Sequence, residues 1–195
     1  MDERNQYIVT NISQTNGALK EKDYMSTPQR QYVLKVCVVG DGAVGKTSLI
    51  IRYTEGHFRE SYIMTVGTSF AVKELNFGDT LVRLQLWDLA GQPHFSSVRP
   101  VFYRGAAGII LVFDVTRRHS FDNIPGWYDE VAQVTGAIPS VLIANKVDLA
   151  DQRQVSTDDA MRYAQQLGWG YFETSAKEGK GVTEGFRQIA WSCIS

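Results

Sequence analysis

The sequence predicts an α/β domain built on a mostly parallel sheet, with one antiparallel edge strand and helices on both faces. Three observations carry that prediction. The runs Gly108-Ile109-Ile110-Leu111-Val112-Phe113 and Val141-Leu142-Ile143 are continuously apolar, as strands buried on both sides require. They alternate with helix-compatible stretches near 118–135, 157–167 and 181–192. Gly78-Asp79 separates the run Ala71–Phe77 from Leu81–Leu86, a hairpin signal that supplies the antiparallel edge.

Taken in order, residues 1–31 stand outside this pattern. They are rich in Asn, Gln, Ser and Thr, with Tyr7-Ile8-Val9 and Ile12 as the main apolar patch. The expectation is a flexible extension ending near Ser26-Thr27-Pro28, followed by a domain over 32–195. The first strand, Tyr32–Val39, runs straight into Gly40-Asp41-Gly42-Ala43-Val44-Gly45-Lys46-Thr47, which matches G-x-x-x-x-G-K-[ST]. Glycines let such a loop curl until successive N–H groups converge on phosphate oxygens. The positive end of the helix begun by Thr47-Ser48-Leu49 adds to the attraction. Lys46 is placed to bridge β- and γ-phosphates, and the Thr47 hydroxyl to ligate Mg²⁺. Asp41, Gly42, Ala43, Val44, Gly45, Lys46, Thr47 and Ser48 are therefore the phosphate-binding candidates.

The loop alone does not choose a nucleotide. Asn145-Lys146-Val147-Asp148, closing the apolar run Val141–Ala144, does. A carboxylate at a strand end accepts parallel hydrogen bonds from guanine N1–H and its exocyclic amine, a donor pair that adenine lacks. Asn145 suits both the base and the phosphate loop, and the Lys146 stem suits the base plane. Trp87-Asp88-Leu89-Ala90-Gly91-Gln92 follows the alternating strand Leu81–Leu86. There Asp88 suits Mg²⁺, the Gly91 amide a γ-phosphate, and Gln92 an attacking water. Thr65 lies between these segments, where its hydroxyl completes a Mg²⁺ shell. In Thr174-Ser175-Ala176-Lys177, the Ala176 amide suits the guanine O6, with Ser175 beside it and Lys177 stacking nearby.

These motifs, in this order over about residues 32 to 192, resemble a Ras-superfamily small GTPase. The resemblance implies a G domain with six strands, GTP and GDP as ligands, Mg²⁺ on Thr47, Thr65 and Asp88, and a switch that hydrolyses GTP slowly. It gives catalytic roles to Gln92, Lys46 and Thr65. It places Phe58 against the guanine edge, Tyr62 over the phosphates, and Gly42 where a side chain would crowd the γ-phosphate and Gln92. Phe70, Trp87 and Phe102 match an exposed aromatic triad on which Rab proteins receive partners, with Phe102 replacing the usual Tyr. Tyr103–Gly108 and Glu173–Lys177 are also Rab-like, whereas Asn123-Ile124-Pro125-Gly126-Trp127 is similar to Ran; some archaeal small GTPases mix such features. Effector, GTPase-activating and nucleotide-exchange proteins are the implied partners at the switch segments. Arg59 and Arg99 lie near those segments but match no arginine finger of the family. A GTP-locked scaffold or adaptor with little turnover is the alternative. A nucleotide kinase is disfavoured by the guanine motif and the lack of an Arg-rich insert.

Composition agrees with an ordinary globular domain: 195 residues, 44% hydrophobic and 21% charged, with a formal net charge of −1. That balance argues against nucleic acid as a partner. The cysteines, Cys37 and Cys193, form no disulfide framework or zinc spacing, and His57, His94 and His119 are scattered. No apolar run suits a membrane span, and Asp2 excludes N-myristoylation. Ser192 occupies the position that a prenylation motif reserves for Cys. A cytoplasmic monomer is expected. Pro125-Gly126 should kink or delay the 118–135 helix. Pro93 pushes Gln92 toward extended conformations, and Leu89 adds an apolar side chain to the same loop. Two outcomes are open: the constraint preorganises Gln92 over the attacking water, or it holds Gln92 away; the second, with low intrinsic hydrolysis, is the expected one.

Overall fold

β1 (Arg30–Val39) and β4 (Gly108–Asp114) lie at the centre of a six-stranded sheet. With β2 (Thr68–Phe77), β3 (Thr80–Leu89), β5 (Ser140–Asn145) and β6 (Gly170–Thr174), the strand order is β2-β3-β1-β4-β5-β6. Every pairing is parallel except β2 with β3, joined through Gly78 at φ 62°, a left-handed turn that favours glycine. The computed structural model describes residues 30–58, 65 and 67–195. The expected flexible extension therefore falls outside the described residues except at its end, as do Tyr62 and Arg59. Arg30 and Gln31 pair with Thr80 and Leu81 of β3, so among the described residues the sheet ladder begins at Arg30.

The apolar runs are explained by what they separate. Alternate residues of each central strand face opposite layers. Val36, Val38, Ile110, Val112, Val141 and Ile143 meet Leu49 and Ile50 of α1 (Lys46–Glu55) and Phe186 and Ile189 of α6 (Val182–Ser192). Cys37, Val39, Ile109, Leu111, Phe113 and Leu142 meet the other layer. That layer holds α2 (Arg99–Tyr103), α3 (Arg118–Asp122), α4 (Ile124–Thr135) and α5 (Thr157–Gln166), and contributes Tyr103, Phe121, Ile124, Trp127 and Ala160. Each fully buried aliphatic side chain contributes about 1.5–3 kcal/mol. Truncating central Leu111 to Ala costs about 2–5 kcal/mol, because both neighbouring strands are held by their own layers and cannot close the cavity.

The helix expected over 118–135 is two helices, α3 and α4, meeting at Asn123. Pro125 sits in the first turn of α4, where its missing N–H has no intrahelical partner to lose. Ser156 caps α5 by accepting from the Asp159 amide at 3.1 Å. Leu89, expected in a loop, is the last residue of β3 and is 1% exposed against Tyr103 and Phe113, so the core absorbs its apolar side chain. The carboxyl ends of β1, β3, β5 and β6 open on one edge of the sheet, where open α/β folds bind ligands. No helix among the described residues is long and apolar enough to cross a membrane.

Candidate functional site

The loop after β1 is built by backbone geometry that only glycine supplies. Gly40 has φ 138°, and a Cβ there would collide with the Val112 carbonyl of β4. Gly45, at φ 100°, is the N-cap of α1 and offers no capping side chain, so the helix's first amides are left for another acceptor. Lys46 is 6% exposed and donates to the Gly40 and Asp41 carbonyls at 2.7 and 2.8 Å. Burial pushes its ammonium down to about 8, against the pull of Asp88 and Asp41.

Thr47, Thr65 and Asp88 converge although 41 residues separate the outer two. The Thr47 and Thr65 hydroxyls lie 2.8 Å apart. Thr47 donates to Asp88 Oδ2, and Thr65 reaches the same oxygen at 3.3 Å. Asp88 is 1% exposed, and its Oδ1 is buried with no hydrogen-bond partner among the described residues. Burial raises its carboxyl pKa, with the Thr47 and Thr65 bonds and the Lys46 charge opposing. Two hydroxyls and an incompletely satisfied carboxylate form a hard-oxygen set of the kind that suits Mg²⁺.

Beyond the loop, a cavity of about 320 Å³ is lined by Gly45, Ser48, Phe58, Asn145, Lys146, Asp148, Leu149, Ala176 and Lys177. All but Leu149 were legible as candidates in the sequence. Asn145, at the end of β5, ties this region to the loop: its Nδ2 donates to the Val44 carbonyl at 2.9 Å. Its Oδ1 accepts from the Thr174 hydroxyl at 3.0 Å and from the Ala176 amide at 3.3 Å. The Ala176 amide, expected at the guanine O6, thus points at Asn145 in this conformation. Lys146 has φ 70° and pairs with Asp114 at 2.7 Å. Burial of Asp114 is outweighed by its bonds to Lys146 and Thr116, which hold its carboxyl below the usual range. Asp148 accepts from the Ser175 hydroxyl at 2.6 Å.

Gly91 touches the phosphate loop so closely that a Cβ there would collide with Gly40, Asp41 and Gly42 backbone. Gln92 is extended, φ −79° and ψ 143°, as the proline after it requires, and its Oε1 is buried with no hydrogen-bond partner among the described residues. A Cβ on Gly42 would meet no described atom within 4 Å. The aromatic triad is present but unequally exposed. Phe70 stacks at 5.7 Å on Trp87, and Trp87 lies 6.3 Å from Phe102. Phe70 is 62% exposed, whereas Trp87 and Phe102 are half-buried, with Lys35 Nζ 4.4 Å over the Trp87 ring.

Several supporting contacts were not foreseen in the sequence. Arg117 donates to the Gly42 carbonyl at 2.9 Å and to Asp114 at 3.1 Å. Arg52 of α1 donates to the Ala176 carbonyl at 2.7 Å and also to that of Lys177. Asp41 accepts from Trp127 Nε1 at 2.8 Å and Asn123 Nδ2 at 2.9 Å. The Ran-like segment holding Asn123 and Trp127 was the available signal for the last of these.

Comparison with known proteins agrees with this geometry. The family model described as "Ras family" matches residues 35–195. The chain is 40% identical over 167 residues to GTP-binding protein ypt2 of Schizosaccharomyces pombe, covering 85% of this chain and 84% of that protein. It is 42% identical over 161 residues to Ras-related protein Rab-21 of Mus musculus, covering 82% of this chain and 72% of that one. With Ras-related protein Rab-1 of Theileria parva the identity is 41% over 161 residues, covering 82% and 73% respectively. This chain belongs to the Ras family, as a Rab-like small GTPase.

Proposed function

We propose that this chain is a GTP-dependent switch that places polyphosphate along Gly40–Thr47 and guanine in the cavity beside Asn145 and Asp148. The observation that carries this is the cavity itself, whose wall is shared by the phosphate-loop residues Gly45 and Ser48 and the base-reading residues Asn145, Lys146 and Asp148. Members of the Ras family hydrolyse GTP, and no observation favours a locked scaffold.

Thr47, Thr65 and Asp88 are the residues that would hold Mg²⁺. Bound there, it would neutralise negative charge on the polyphosphate. The remaining catalysis is positioning. Lys46 places a buried cation against the phosphates, the Gly91 amide receives the γ-phosphate, and the free acceptor Gln92 Oε1 orients the attacking water. Water bonds to the γ-phosphorus and gives a proton to a γ-phosphate oxygen, the bond to the bridging oxygen breaks, and GDP leaves with that electron pair. Loss of the γ-phosphate removes the anchor for Thr65 and Gly91, and partners read the difference. Effector, activating and exchange proteins meet the switch segments and the Phe70–Trp87–Phe102 surface. An activating partner accelerates the reaction by on the order of 10⁵, about 7 kcal/mol of barrier. Both cysteines are free thiols, and cytoplasmic residence belongs to the same proposal.

The deciding experiment is to extract the nucleotide carried by the purified protein, then follow phosphate release from added GTP over hours. Guanine nucleotide with slow, Mg²⁺-dependent release is the expected result. Adenine nucleotide, or none, would overturn the proposal.

A further inference from the structure

Arg99 matches no arginine finger, yet it is only 5% exposed. Its Nε and Nη2 form a two-armed pair with Glu130 of α4 at 2.8 and 2.7 Å. Tyr103 fixes the same carboxylate with a 2.8 Å bond, and the guanidinium lies 4.4 Å over the Trp127 ring. The remaining arm, Nη1, donates to the Gln92 carbonyl at 3.1 Å and, at the long limit of 3.5 Å, to that of Ala90. Those carbonyls flank Gly91, whose backbone packs directly on Gly40–Gly42. A buried guanidinium with a carboxylate on one side and an aromatic face beneath it has little freedom to turn.

We propose that Arg99 is a positioning residue for GTP hydrolysis, a staple that holds the Gly91–Gln92 peptide against the phosphate loop before a γ-phosphate arrives. This rests on the reading that Gln92 orients the attacking water. Arg99 acts on the loop's backbone and contributes no contact to the phosphates. Through Trp127, whose indole donates to Asp41 at 2.8 Å, α4 grips the phosphate loop as well. The two loops are therefore joined by a path of direct contacts that bypasses the nucleotide. Arg99 and Pro93 restrain different things. Arg99 fixes where the Gln92 peptide lies, and Pro93 fixes the direction in which its side chain leaves.

The test is single-turnover GTP hydrolysis with full-length Arg99→Ala, Arg99→Lys, Gln92→Leu and the Arg99→Ala/Gln92→Leu pair, with GDP and GTP affinity measured for each. The expected result is hydrolysis slowed on the order of 10-fold in Arg99→Ala with GDP affinity unchanged, because GDP has no γ-phosphate for Gly91 to meet. Lysine, with one donor head, restores part of the rate. In the Gln92→Leu background Arg99→Ala slows hydrolysis by less than it does in wild type, because only the Gly91 contact is left to lose, whereas a general loss of stability would cost the same in both. Wild-type hydrolysis in Arg99→Ala, or equal loss of GDP and GTP affinity, overturns the proposal. If Arg99→Ala does not fold, Glu130→Gln decides: a slowed rate supports the staple and an unchanged rate rejects it. Gln92→Leu alone turning over like wild type sinks the reading of Gln92 and the staple with it. A slow Gln92→Leu beside a normal Arg99→Ala sinks the staple only.

Discussion

The Ser175 hydroxyl donates to Asp148 Oδ1 at 2.6 Å, across 27 residues of sequence. One carboxylate oxygen is thereby anchored to the loop after β6, which fixes the orientation of the group facing the cavity. Asp148→Asn replaces an acceptor with a donor at the guanine edge. GTP affinity should fall by at least about 10-fold, since a hydrogen bond to a charged group is worth about 1.5–3 kcal/mol. Xanthine nucleotides, which carry an oxygen where guanine has its 2-amine, should gain relative to guanine. Competition binding that shows an unchanged guanine preference would remove Asp148 from the base contact.

Thr47→Asn should leave a protein that prefers GDP or is empty. The substitution removes the hydroxyl that joins Thr65 and Asp88 and leaves Asp88 with one partner fewer in a buried setting. Titration with a fluorescent GTP analogue, with and without Mg²⁺, reads this directly. Equal affinity and equal Mg²⁺ dependence in both proteins exclude Thr47 from the metal site.

Pro93→Glu should raise intrinsic hydrolysis while leaving GTP affinity unchanged. Gln92 sits at φ −79° and ψ 143°, the extended region that a following proline enforces, and the proline opens a short 3₁₀ turn over Pro93–Phe95. Glutamate frees Gln92 to turn its carboxamide toward the water. Single-turnover assays of both proteins decide the sign: a slower variant means that proline assists the reaction.

Acid should destabilise the fold through Glu130. Burial pushes its carboxyl up, but hydrogen bonds from Arg99 and Tyr103 outweigh that and hold its pKa below the ordinary 4.5. A folded pKa below the unfolded one means that the unfolded chain binds more protons in that window. The stabilisation is present above pH 4.5 and is lost as pH falls through the lower, folded value. Glu173, held by Thr157, Arg153 and Tyr171 against its own burial, acts in the same direction. Urea unfolding at neutral and acid pH should show Glu130→Gln less stable at neutrality and less sensitive to acid than wild type. Parallel pH curves for the two proteins would exclude Glu130 as a contributor.

What the sequence determined by itself was local. A phosphate loop works through consecutive backbone amides, so Gly40–Thr47 announces itself without any partner. The central strands announce themselves because two-sided burial demands unbroken apolar runs. Asp88, Asn145 and Asp148 were legible because each lies at or just beyond the carboxyl end of a strand, and those ends share one edge of the sheet. The tertiary structure alone decided the joints between these pieces. Asn145 reaches Val44 across 101 residues, Arg117 reaches Gly42 across 75, and Arg99 of α2 meets Glu130 of α4 across 31. Each joint is a side chain meeting a distant carbonyl or carboxylate. Such a meeting depends on sheet order, strand register and the break between α3 and α4 at Asn123, and no short stretch of sequence contains that information.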